Sequence, residues 1–514
     1  MGKLYAALKK HAELTPDKWA IIDDLGEGIT YLQLLSKVEA RVRQLLQHLQ
    51  PGQKSRVALS LHEGVEIPVT IFALNRLGVV VVPLNPALQT EQMVSLLHAV
   101  EVDKVIIEPA MRARFDGLDE TLQLISLEPT APVDEPPEVT ADSSAPDIAE
   151  AGYEQFLITL SSGSTGAPKP IIFSEQNKLD RSRQAEKMYG VNSQDVILCA
   201  SPFFHSLGQR LTFLPLLVGA TLVQLTRFTP QRWATVVERE RVTFTIPVSS
   251  HLHELVGMLL EEPARFRSLR GLVSSSAAIA NDVKQRLFDS LTADFHEMYG
   301  ASEVATATDL TRKQALERPG SVGLPCPGVE IKIVDEAQRE CPPNEIGEII
   351  VRSPLASPGY YHLPEVTRQA FVDGFFYTGD LGYLDEAGYL YFVNRKKEII
   401  IAGGMNIYPS DIEQVLDSHP AVTATAVVGI HDRYLGEVPV AVVVVEGEDT
   451  TIERELRGMV HSKLAPYQQP MRYFLRSALP KTASGKVDKI ALQDELNGLG
   501  LELSLKLRAL QGAL

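Results

Sequence analysis

The sequence predicts an α/β protein: a large N-terminal domain of two βαβ-type subdomains plus a small β subdomain, followed by a C-terminal α+β domain. Short β-branched runs alternate with amphipathic helical stretches from Trp19 to about Tyr299, which is typical of parallel strands covered by helices. From Gly328 the apolar period becomes two, with turns between the runs, which indicates antiparallel strands. After Asn394 helical and strand patterns mix. The predicted domains are 1–394 and 395–490, with a tail at 491–514.

The N-terminal pattern consists of two series of strand–helix repeats. In the first series R-V-A-L-S-L precedes the helical G-V-E-I-P-V-T-I-F-A-L-N-R-L, and G-V-V-V-V-P-L and K-V-I-I follow. The second series holds T-L-V-Q-L, P-Q-R-W-A-T-V-V-E-R-E, T-F-T-I-P-V and H-L-H-E-L-V-G-M-L-L. Residues 127–150, before the second series, carry five prolines and seven acidic residues but no lysine or arginine. They indicate a solvated loop that joins two halves, and an acidic docking segment is the alternative.

The C-terminal third predicts two different folds in succession. The runs V-E-I-K-I-V-D, G-E-I-I-V-R and G-Y-L-Y-F-V predict the small antiparallel subdomain. A compact α+β unit then extends from S-D-I-E-Q-V-L through A-V-V-V-V-E to about Lys489. We expect its first helix to be N-capped at Ser410 or Asp411. The boundary is placed at Asn394–Arg395, where a β run gives way to R-K-K-E.

Composition and charge narrow the class of protein. The chain of 514 residues is 45% hydrophobic and 22% charged, as in an ordinary globular enzyme. Its net charge of −16 argues against a general nucleic-acid-binding surface. Three cysteines without a C-x-x-C pair suit a reducing compartment, without disulfides or structural zinc. No apolar run approaches the length of a membrane span, so we expect no membrane span and a cytoplasmic location.

Residues 160–170, L-S-S-G-S-T-G-A-P-K-P, have the composition of a phosphate-binding loop. Glycines allow close backbone approach, hydroxyl and N–H groups donate hydrogen bonds, and Lys169 adds a positive charge. The Walker pattern fails because Lys169 lies three residues after Gly166 and precedes a proline, and G-x-G-x-x-G fails as well. Pro168 and Pro170 with I-I-F predict a strand rather than a helix, so we expect a strand–loop–strand phosphate clamp. A flexible Ser/Gly turn is the alternative.

Two further segments carry polar groups that an apolar pattern does not need. H-E-M-Y-G-A-S-E follows a predicted strand and places Tyr299, Ser302 and Glu303 on a turn at its carboxyl end, where ligands bind in open α/β sheets. An aromatic ring can stack on a nucleobase, and a carboxylate suits Mg²⁺. In F-F-Y-T-G-D-L-G, Asp380 follows a tight turn and can accept hydrogen bonds from two ribose hydroxyls. An ordinary Asx turn is the alternative there.

Three more segments lie near or beyond the proposed boundary. N-R-K-K-E-I-I concentrates cations at the boundary itself, including Arg395 and Lys397. I-A-G-G-M-N-I-Y-P contains the glycine turn Gly403 and Gly404. L-P-K-T-A-S-G-K-V-D-K places Lys486 on a loop with a glycine hinge, near the end of the last domain. Each motif alone is weak.

Together these segments resemble the acyl-adenylate-forming superfamily, which includes acyl-CoA synthetases, aryl-CoA ligases, luciferases and peptide-synthetase adenylation domains. The resemblance covers roughly residues 10–490, in the family's order. It implies that S-S-G-S-T-G-A-P-K is a mobile loop over the β- and γ-phosphates of ATP, and that domain 395–490 is mobile. The residues that it assigns to binding of ATP or AMP are Ser161, Ser162, Gly163, Ser164, Thr165, Gly166, Lys169, Ser276, Ala277, Ala278, Tyr299, Gly300, Ser302, Glu303, Asp380, Arg395, Lys397, Gly403, Gly404 and Lys486.

The same resemblance implies how the charged groups act on the phosphates. Attack of a carboxylate on the α-phosphorus of ATP gives an acyl adenylate, and negative charge grows between the α-phosphate and pyrophosphate. Glu303 and Thr165 are expected to hold Mg²⁺, with Thr165 and Ser302 at phosphate or metal-bound water. Lys169 belongs to the phosphate loop, and Lys486 is expected to bridge the α-phosphate and the acyl carboxylate.

The resemblance also implies a nucleoside site and a hinge. Asp380 and Arg395 are expected to hold the ribose, Tyr299 to stack on adenine, and Lys397 to lie at the hinge between domain orientations. The chain departs from the family at four places, none of which removes a group that the chemistry requires. These are Pro170 for a usual Gly, Ser276-Ala277 for Gly-Ala, Asn394 for Gly or Asp, and Lys489 for a common Arg.

His205, in P-F-F-H-S-L-G, bears on the substrate class. In the family an aromatic residue or histidine here borders the acyl and pantetheine channel, and a packing role is the alternative. Relatives that activate amino acids tend to carry Asp at this point, so histidine favours a plain fatty or aromatic carboxylic acid. The leading hypothesis is an acyl-CoA synthetase using ATP, Mg²⁺ and coenzyme A. A ligase that loads a carrier-protein thiol and a non-catalytic nucleotide-binding protein are the alternatives.

Two properties stay open from the sequence. A monomer and a homodimer are both compatible with it. In the tail, Leu499, Leu501, Leu503, Leu505 and Leu507 recur with period two, which predicts an added edge strand, whereas leucine itself favours a helix or a frayed end.

Overall fold

The computed structural model describes residues 2–50, 55–86, 88, 90–115, 122–130, 155–160, 169–276, 279, 281–402, 405–432, 435–445, 451–482 and 486–499. Helices α1 to α14 are Lys3–Leu14, Tyr31–Leu45, Glu66–Leu77, Thr90–Ala99, Glu175–Tyr189, Ser206–Val218, Pro230–Arg239, Ser249–Glu261, Asn281–Ser290, Arg312–Glu317, Pro364–Ala370, Pro409–Asp417, Ile452–Lys463 and Lys489–Gly498. Strands β1 to β25 are Trp19–Asp23, Gly28–Thr30, Arg56–Ser60, Val80–Pro83, Lys104–Ile107, Gln123–Ser126, Leu157–Leu160, Pro170–Phe173, Val196–Cys199, Thr221–Gln224, Phe244–Thr245, Gly271–Ser274, Asp294–Ala301, Ala305–Thr311, Leu324–Pro325, Glu330–Val334, Gly347–Arg352, Phe371–Val372, Phe375–Leu384, Leu390–Arg395, Ile400–Ala402, Met405–Ile407, Val422–Asp432, Gly436–Val445 and Arg472–Arg476.

Two sheets with parallel cores confirm the predicted pair of βαβ subdomains. One has six strands in the order β6-β5-β3-β4-β7-β8, parallel except for the β7–β8 pair. The other has nine strands in the order β15-β14-β13-β12-β11-β9-β10-β1-β2, with antiparallel pairs at both ends. The central strands are apolar because helices cover both faces of a parallel sheet. Val80–Pro83, for example, is buried at every residue.

The hairpin of β7 and β8 confirms the predicted strand–loop–strand arrangement. Leu160 pairs with Pro170, and Leu157 pairs with Phe173, so the two strands flank residues 161–168. Those eight residues lie outside the described part of the chain. Pro170 takes the first position of its strand, where a missing N–H costs no ladder bond. The chain therefore leaves and re-enters the six-stranded sheet at the predicted points.

Two five-stranded sheets follow, one in the predicted small β subdomain and one in the predicted C-terminal α+β unit. One has the order β16-β17-β19-β18, with β20 paired to β19, and the other has the order β22-β21-β24-β23, with β25 paired to β24. The apolar run of β24 is buried on both faces. Val440 and Val442 pack with Leu492 and Leu496 of α14, whereas alternate residues pack on the other face with α12 and α13. Successive side chains of a strand point to opposite faces, which gives each face its own cluster.

The described residues group into two compact units. The first comprises those of Met1–Ser161, Ala167–Glu330 and Arg352–Phe376, and the second comprises those of Ile331–Val351 and Tyr377–Leu514. The second unit thus includes most of the small antiparallel sheet, so it begins well before Asn394–Arg395. The boundary predicted at Asn394–Arg395 from the change of sequence pattern, between the N-terminal domain and a mobile C-terminal domain, stays a prediction.

The start of α12 corrects one prediction. The helix begins at Pro409, with Tyr408 in the N-cap position and no side-chain cap, rather than at a cap formed by Ser410 or Asp411. Proline is well suited to the first helical position because its fixed φ fits the helix and its missing N–H has no partner there. The Ser410 hydroxyl instead donates to the Val393 carbonyl oxygen at 2.9 Å. No helix in the described ranges combines the length and apolar composition that crossing a bilayer requires.

Candidate active site

The turn that carries Ser302 and Glu303 is held from two sides. It joins β13 to the antiparallel β14, as predicted for the carboxyl end of a strand. The Arg181 guanidinium of α5 donates to the carbonyl oxygens of Ser302 and Glu303, at 3.0 and 3.4 Å, and to that of Leu355 at 3.0 Å. The Glu303 carbonyl oxygen also accepts from the Ser357 N–H at 2.6 Å. These bonds fix the backbone, so the direction of the Glu303 carboxylate is set before any ligand arrives.

Tyr360 links Glu303 to the hairpin of the phosphate loop. Its hydroxyl donates to Glu303 Oε1 at 2.9 Å, and Lys169 Nζ lies 5.1 Å from the centre of its ring. Burial and the Glu303 carboxylate raise the pKa of Tyr360, so the phenol stays protonated as a donor. Glu303 Oε2 has no hydrogen-bond partner among the described residues, which leaves an oxygen available to a hard cation. The structure therefore brings Glu303 and Lys169 together through a tyrosine that the sequence analysis did not single out.

Tyr299 lies within β13 rather than on the predicted turn, because the strand continues to Ala301. The pairing with β14 shifts register between Tyr299 and Gly300. A Cβ at Gly300 would lie 2.0 Å from the Ala305 carbonyl oxygen, so no other residue fits this close approach. Tyr299 is half-buried and remains next to the Ser302–Glu303 turn.

The segment after β12 carries Ser276, Ala277 and Ala278, which the family resemblance assigns to nucleotide binding. Ser276 has a φ of 79°, a left-handed conformation in which its side chain is strained. Ala277 and Ala278 lie outside the described residues. Beyond them the Ile279 N–H donates to Glu297 Oε1 at 3.4 Å, and Glu297 forms a buried ion pair with Lys284 of α9. This pair ties the segment to β13.

His205 occupies the N-cap position of α6, directly after the loop that carries Phe203. A Cβ at Gly208 would lie 2.0 Å from the Pro202 carbonyl oxygen, so the first turn of the helix packs directly on that loop. The Phe203 N–H donates to Glu63 Oε1 at 2.8 Å, and Gln224 Nε2 donates to Glu63 Oε2 at 3.2 Å. Burial raises the pKa of Glu63 to about 7. The sequence analysis missed Glu63, which anchors the loop that leads to His205.

Asp380 and Arg395 meet in the second compact unit. They are direct partners across β19 and β20, and Arg395 Nε lies 3.4 Å from Asp380 Oδ1. Asp380 lies inside β19, after Gly379 with a φ of 71°, and only 8% of it is exposed. The ion pair to Arg395 distinguishes it from an ordinary Asx turn. The two groups predicted to hold a ribose are therefore adjacent.

Lys486 lies near the same pair. Desolvation and the positive charge of Arg395 lower the pKa of Lys486, against the opposing effect of Asp380 and Glu398. The residue as a whole is exposed, whereas its ammonium is desolvated beside Asp380 and Arg395. Lys397 is also exposed, on the single turn Lys396–Glu398 that follows β20. The roles assigned to these cations in nucleotide binding stay predictions.

Eight of the predicted residues belong to the phosphate loop and to the glycine turn after β21. Ser161, Ser162, Gly163, Ser164, Thr165, Gly166, Gly403 and Gly404 lie outside the described residues. Within the described ranges no three His, Cys, Asp or Glu side chains gather as a metal cluster. A single carboxylate such as Glu303 instead suits Mg²⁺, which keeps water and phosphate oxygens as its other ligands.

The arrangement suits an enzyme that activates a carboxylic acid with a nucleoside triphosphate, and comparisons with known proteins agree. The family model of AMP-binding enzymes matches residues 8–361, and the model of the AMP-binding enzyme C-terminal domain matches residues 411–486. The chain belongs to the AMP-binding enzyme family, and it is an enzyme of the AMP-forming CoA-ligase type.

Similar proteins act on different acids. A 2-succinylbenzoate–CoA ligase from Enterococcus faecalis is 31% identical over 94% of this chain and 96% of its own length. An indoleacetate–CoA ligase from Aromatoleum aromaticum is 30% identical over 94% of this chain and 96% of its own. The solved o-succinylbenzoate CoA synthetase from Bacillus subtilis, in complex with its acyl-adenylate intermediate, has a TM-score of 0.82 and 28% identity, covering 95% of this chain and 98% of its own. The family fixes the reaction type rather than the acid.

Proposed function

We propose that the protein converts a carboxylic acid to its CoA thioester in two half-reactions. In the first, a carboxylate oxygen attacks the α-phosphorus of ATP, and the bond to pyrophosphate breaks. In the second, the sulfur of CoA attacks the acyl carbon, AMP leaves, and the thiol proton passes to solvent. The adenylate step is needed because a free carboxylate repels nucleophiles and has no good leaving group.

The observation that carries this proposal is the grouping of Lys486 with Asp380 and Arg395. A buried carboxylate paired to a guanidinium can accept hydrogen bonds from the two ribose hydroxyls, and an ammonium beside them can bind the α-phosphate. A positive charge at that position stabilises the charge that develops in the transition state. Lys486 and Arg395 are therefore assigned to adenylate formation, with Asp380 orienting the ribose.

In the first compact unit Glu303 is assigned to Mg²⁺, with Thr165 as a second oxygen ligand. The free Glu303 Oε2 and the phenol on Oε1 fit a cation site. Mg²⁺ would neutralise the β- and γ-phosphates when bound. Ser302 and Lys169 are assigned to the phosphates beside it, and Tyr299 to the adenine. His205 is assigned to the wall of the acyl channel.

Pyrophosphate release tests the proposal. The purified protein is incubated with ATP, Mg²⁺ and a panel of linear and aromatic acids, and then with CoA or a phosphopantetheinylated carrier protein in turn. We expect release that depends on the acid, and thioester formation with CoA. If thioester forms only on the carrier protein, the acyl acceptor is the carrier rather than CoA. Nucleotide binding without pyrophosphate release for any acid would indicate the non-catalytic alternative and overturn the proposal.

Two further properties stay proposals. We place the enzyme in the cytoplasm, because its three cysteines are free thiols, as a reducing compartment requires. It is proposed to act as a monomer or homodimer. Light scattering of the purified chain decides between those two states.

A further inference from the structure

The interface between α5 and α6 contains an excess of buried positive charge. Lys178 and Arg181 lie one turn apart on α5, and they are only 4% and 8% exposed. Burial, together with the positive charge of Arg210 on α6, lowers the pKa of Arg181 to about 9, against the opposing effect of Glu303. An arginine with a pKa of about 9 is still charged at neutral pH. The cluster of Lys178, Arg181 and Arg210 is called the α5–α6 cation cluster.

The three cations meet few compensating anions. Lys178 Nζ donates to the neutral Gln209 Oε1 at 2.8 Å and lies 3.9 Å from the centre of the Phe173 ring. Burial and the positive charge of Arg181 lower the pKa of Lys178 well below its usual range. The two guanidinium groups keep their charge. The Arg181 guanidinium donates to the backbone carbonyl oxygens of the Ser302–Glu303 turn and of Leu355. None of the three forms an ion pair with a carboxylate in the described part of the chain.

Arg210 keeps donors that the protein does not use. Its Nη1 donates to Thr306 Oγ1 at 2.7 Å and contacts Met298 Sδ at 3.5 Å. Its Nε and Nη2 are buried and have no hydrogen-bond partner among the described residues. The side-chain nitrogen of the neighbouring Gln209 is in the same condition. Burying a charged donor without a hydrogen-bond partner lowers the stability of the folded protein much more than burying a paired one. Such unpaired donors therefore indicate that a ligand supplies the missing acceptors.

The position of Arg210 indicates what kind of ligand its free donors bind. Met298 precedes Tyr299 on β13, and Thr306 follows the Glu303 turn by three residues, a chain length of no more than about 11 Å. Arg210 also lies on the first turns of α6, just beyond His205. The free guanidinium edge is thus close to the expected acyl site. An anionic group there would be desolvated and would gain two hydrogen bonds from one planar fork.

We propose that Arg210 binds a second carboxylate of the acid, so that the substrate is a dicarboxylic acid whose other carboxylate is adenylated. This inference rests on the proposed acid–CoA ligase function. Arg181 supports the site by its charge and by holding the Ser302–Glu303 turn, and it is a positioning residue. A positive pocket also excludes the α-ammonium of an amino acid.

Matched pairs of acids test this inference. Butyrate and succinate, hexanoate and adipate, octanoate and suberate, and benzoate and isophthalate differ only in the second carboxylate. We expect kcat/KM for pyrophosphate release to favour the diacid of the best pair by about 10- to 100-fold, the scale of a charge-assisted hydrogen bond in a desolvated site. Arg210→Met should remove that preference by raising KM for the diacid, while KM for the monoacid stays unchanged. Arg210→Lys, which keeps the charge without the fork, should lie between the two.

Arg183→Met is the matched control. Arg183 lies on α5 as well, but it is exposed and pairs with Asp180 at 2.8 Å, so its loss should leave the preference unchanged. Equal use of mono- and diacids by the wild type, or a preference for monoacids, would overturn the inference and leave the ligase function standing. If none of the acids supports pyrophosphate release, both the inference and the ligase function are overturned. If Arg210→Met does not fold, the wild-type preference and Arg210→Lys decide the question.

Discussion

Replacement of Glu63 by glutamine should make the protein more stable at alkaline pH. Glu63 anchors the loop before His205 by accepting the Phe203 N–H at 2.8 Å. Burial raises its pKa from 4.5 to about 7, more than its two hydrogen bonds lower it. The folded protein therefore favours the protonated carboxyl. Glutamine keeps an acceptor for the Phe203 N–H but carries no charge at any pH.

The sign and size of the effect follow from this shift. The contribution of protonated Glu63 is fully present below pH 4.5 and is lost as pH rises through about 7. A shift of this size corresponds to at most about 3 kcal/mol, and partial solvation of the half-buried side chain reduces it to about 1–2 kcal/mol. Glu63→Gln should match the wild type at pH 5 and exceed it above pH 7 by that amount. In a protein of this size the gap corresponds to a few degrees in Tm.

Thermal melting across pH provides the assay. The Tm difference between Glu63→Gln and the wild type should open between pH 5 and pH 8. The control is Glu365→Gln, because Glu365 is an exposed acid of α11 that pairs with the exposed Arg368. Its Tm should track the wild type at every pH. A Glu63→Gln difference that is the same at both ends of the range, or that closes as pH rises, would refute the reasoning.

Three other predictions concern the second compact unit. Lys486→Ala should lower adenylate formation about 100- to 1000-fold but leave CoA attack on a supplied acyl adenylate nearly intact; equal loss in both half-reactions, measured separately, would contradict its role. Lys397→Pro should permit adenylate formation and slow thioester release, because a rigid hinge hinders the second domain orientation, and single-turnover kinetics that show both steps slowed equally would count against it. Deletion after Asn497 keeps the bond from the His431 N–H to Asn497 Oδ1 at 2.8 Å, so a fall in Tm or a change in mass by light scattering would come from the tail; no change in mass, Tm or activity would show that the tail has no structural role.

Local patterns predicted the elements that depend on local rules. The hairpin around residues 161–168 follows from apolar runs and prolines, and the small antiparallel sheet follows from the apolar pattern of period two. The period of an apolar pattern and the conformational limits of proline and glycine act within a few residues, so one sequence is enough to see them. The predicted start of α12 was wrong, because the preference of Pro409 for the first helical position outweighed the capping preference of Ser410.

The residues that were missed depend on packing between distant segments. Helix α5, E-Q-N-K-L-D-R-S-R-Q-A-E-K-M-Y, has the composition of a solvated helix, yet Lys178 and Arg181 are buried in it. Their burial requires α6 and the Ser302–Glu303 turn, which are far along the chain. The roles of Tyr360 and Glu63 likewise depend on hydrogen bonds to distant residues, Glu303 and Phe203 respectively. Buried polar groups of this kind are invisible to periodicity because their cost is offset only in the tertiary structure.

The transfer of an oxygen atom from the acid to AMP tests the central claim most directly. If a carboxylate oxygen attacks the α-phosphorus, an acid labelled with ¹⁸O at both carboxylate oxygens must leave one label in AMP and one in the thioester. Mass spectrometry of the products after turnover with ATP and CoA should therefore find AMP that carries a single ¹⁸O. Label in pyrophosphate or in inorganic phosphate, or AMP without label beside a formed thioester, would contradict activation through an acyl adenylate.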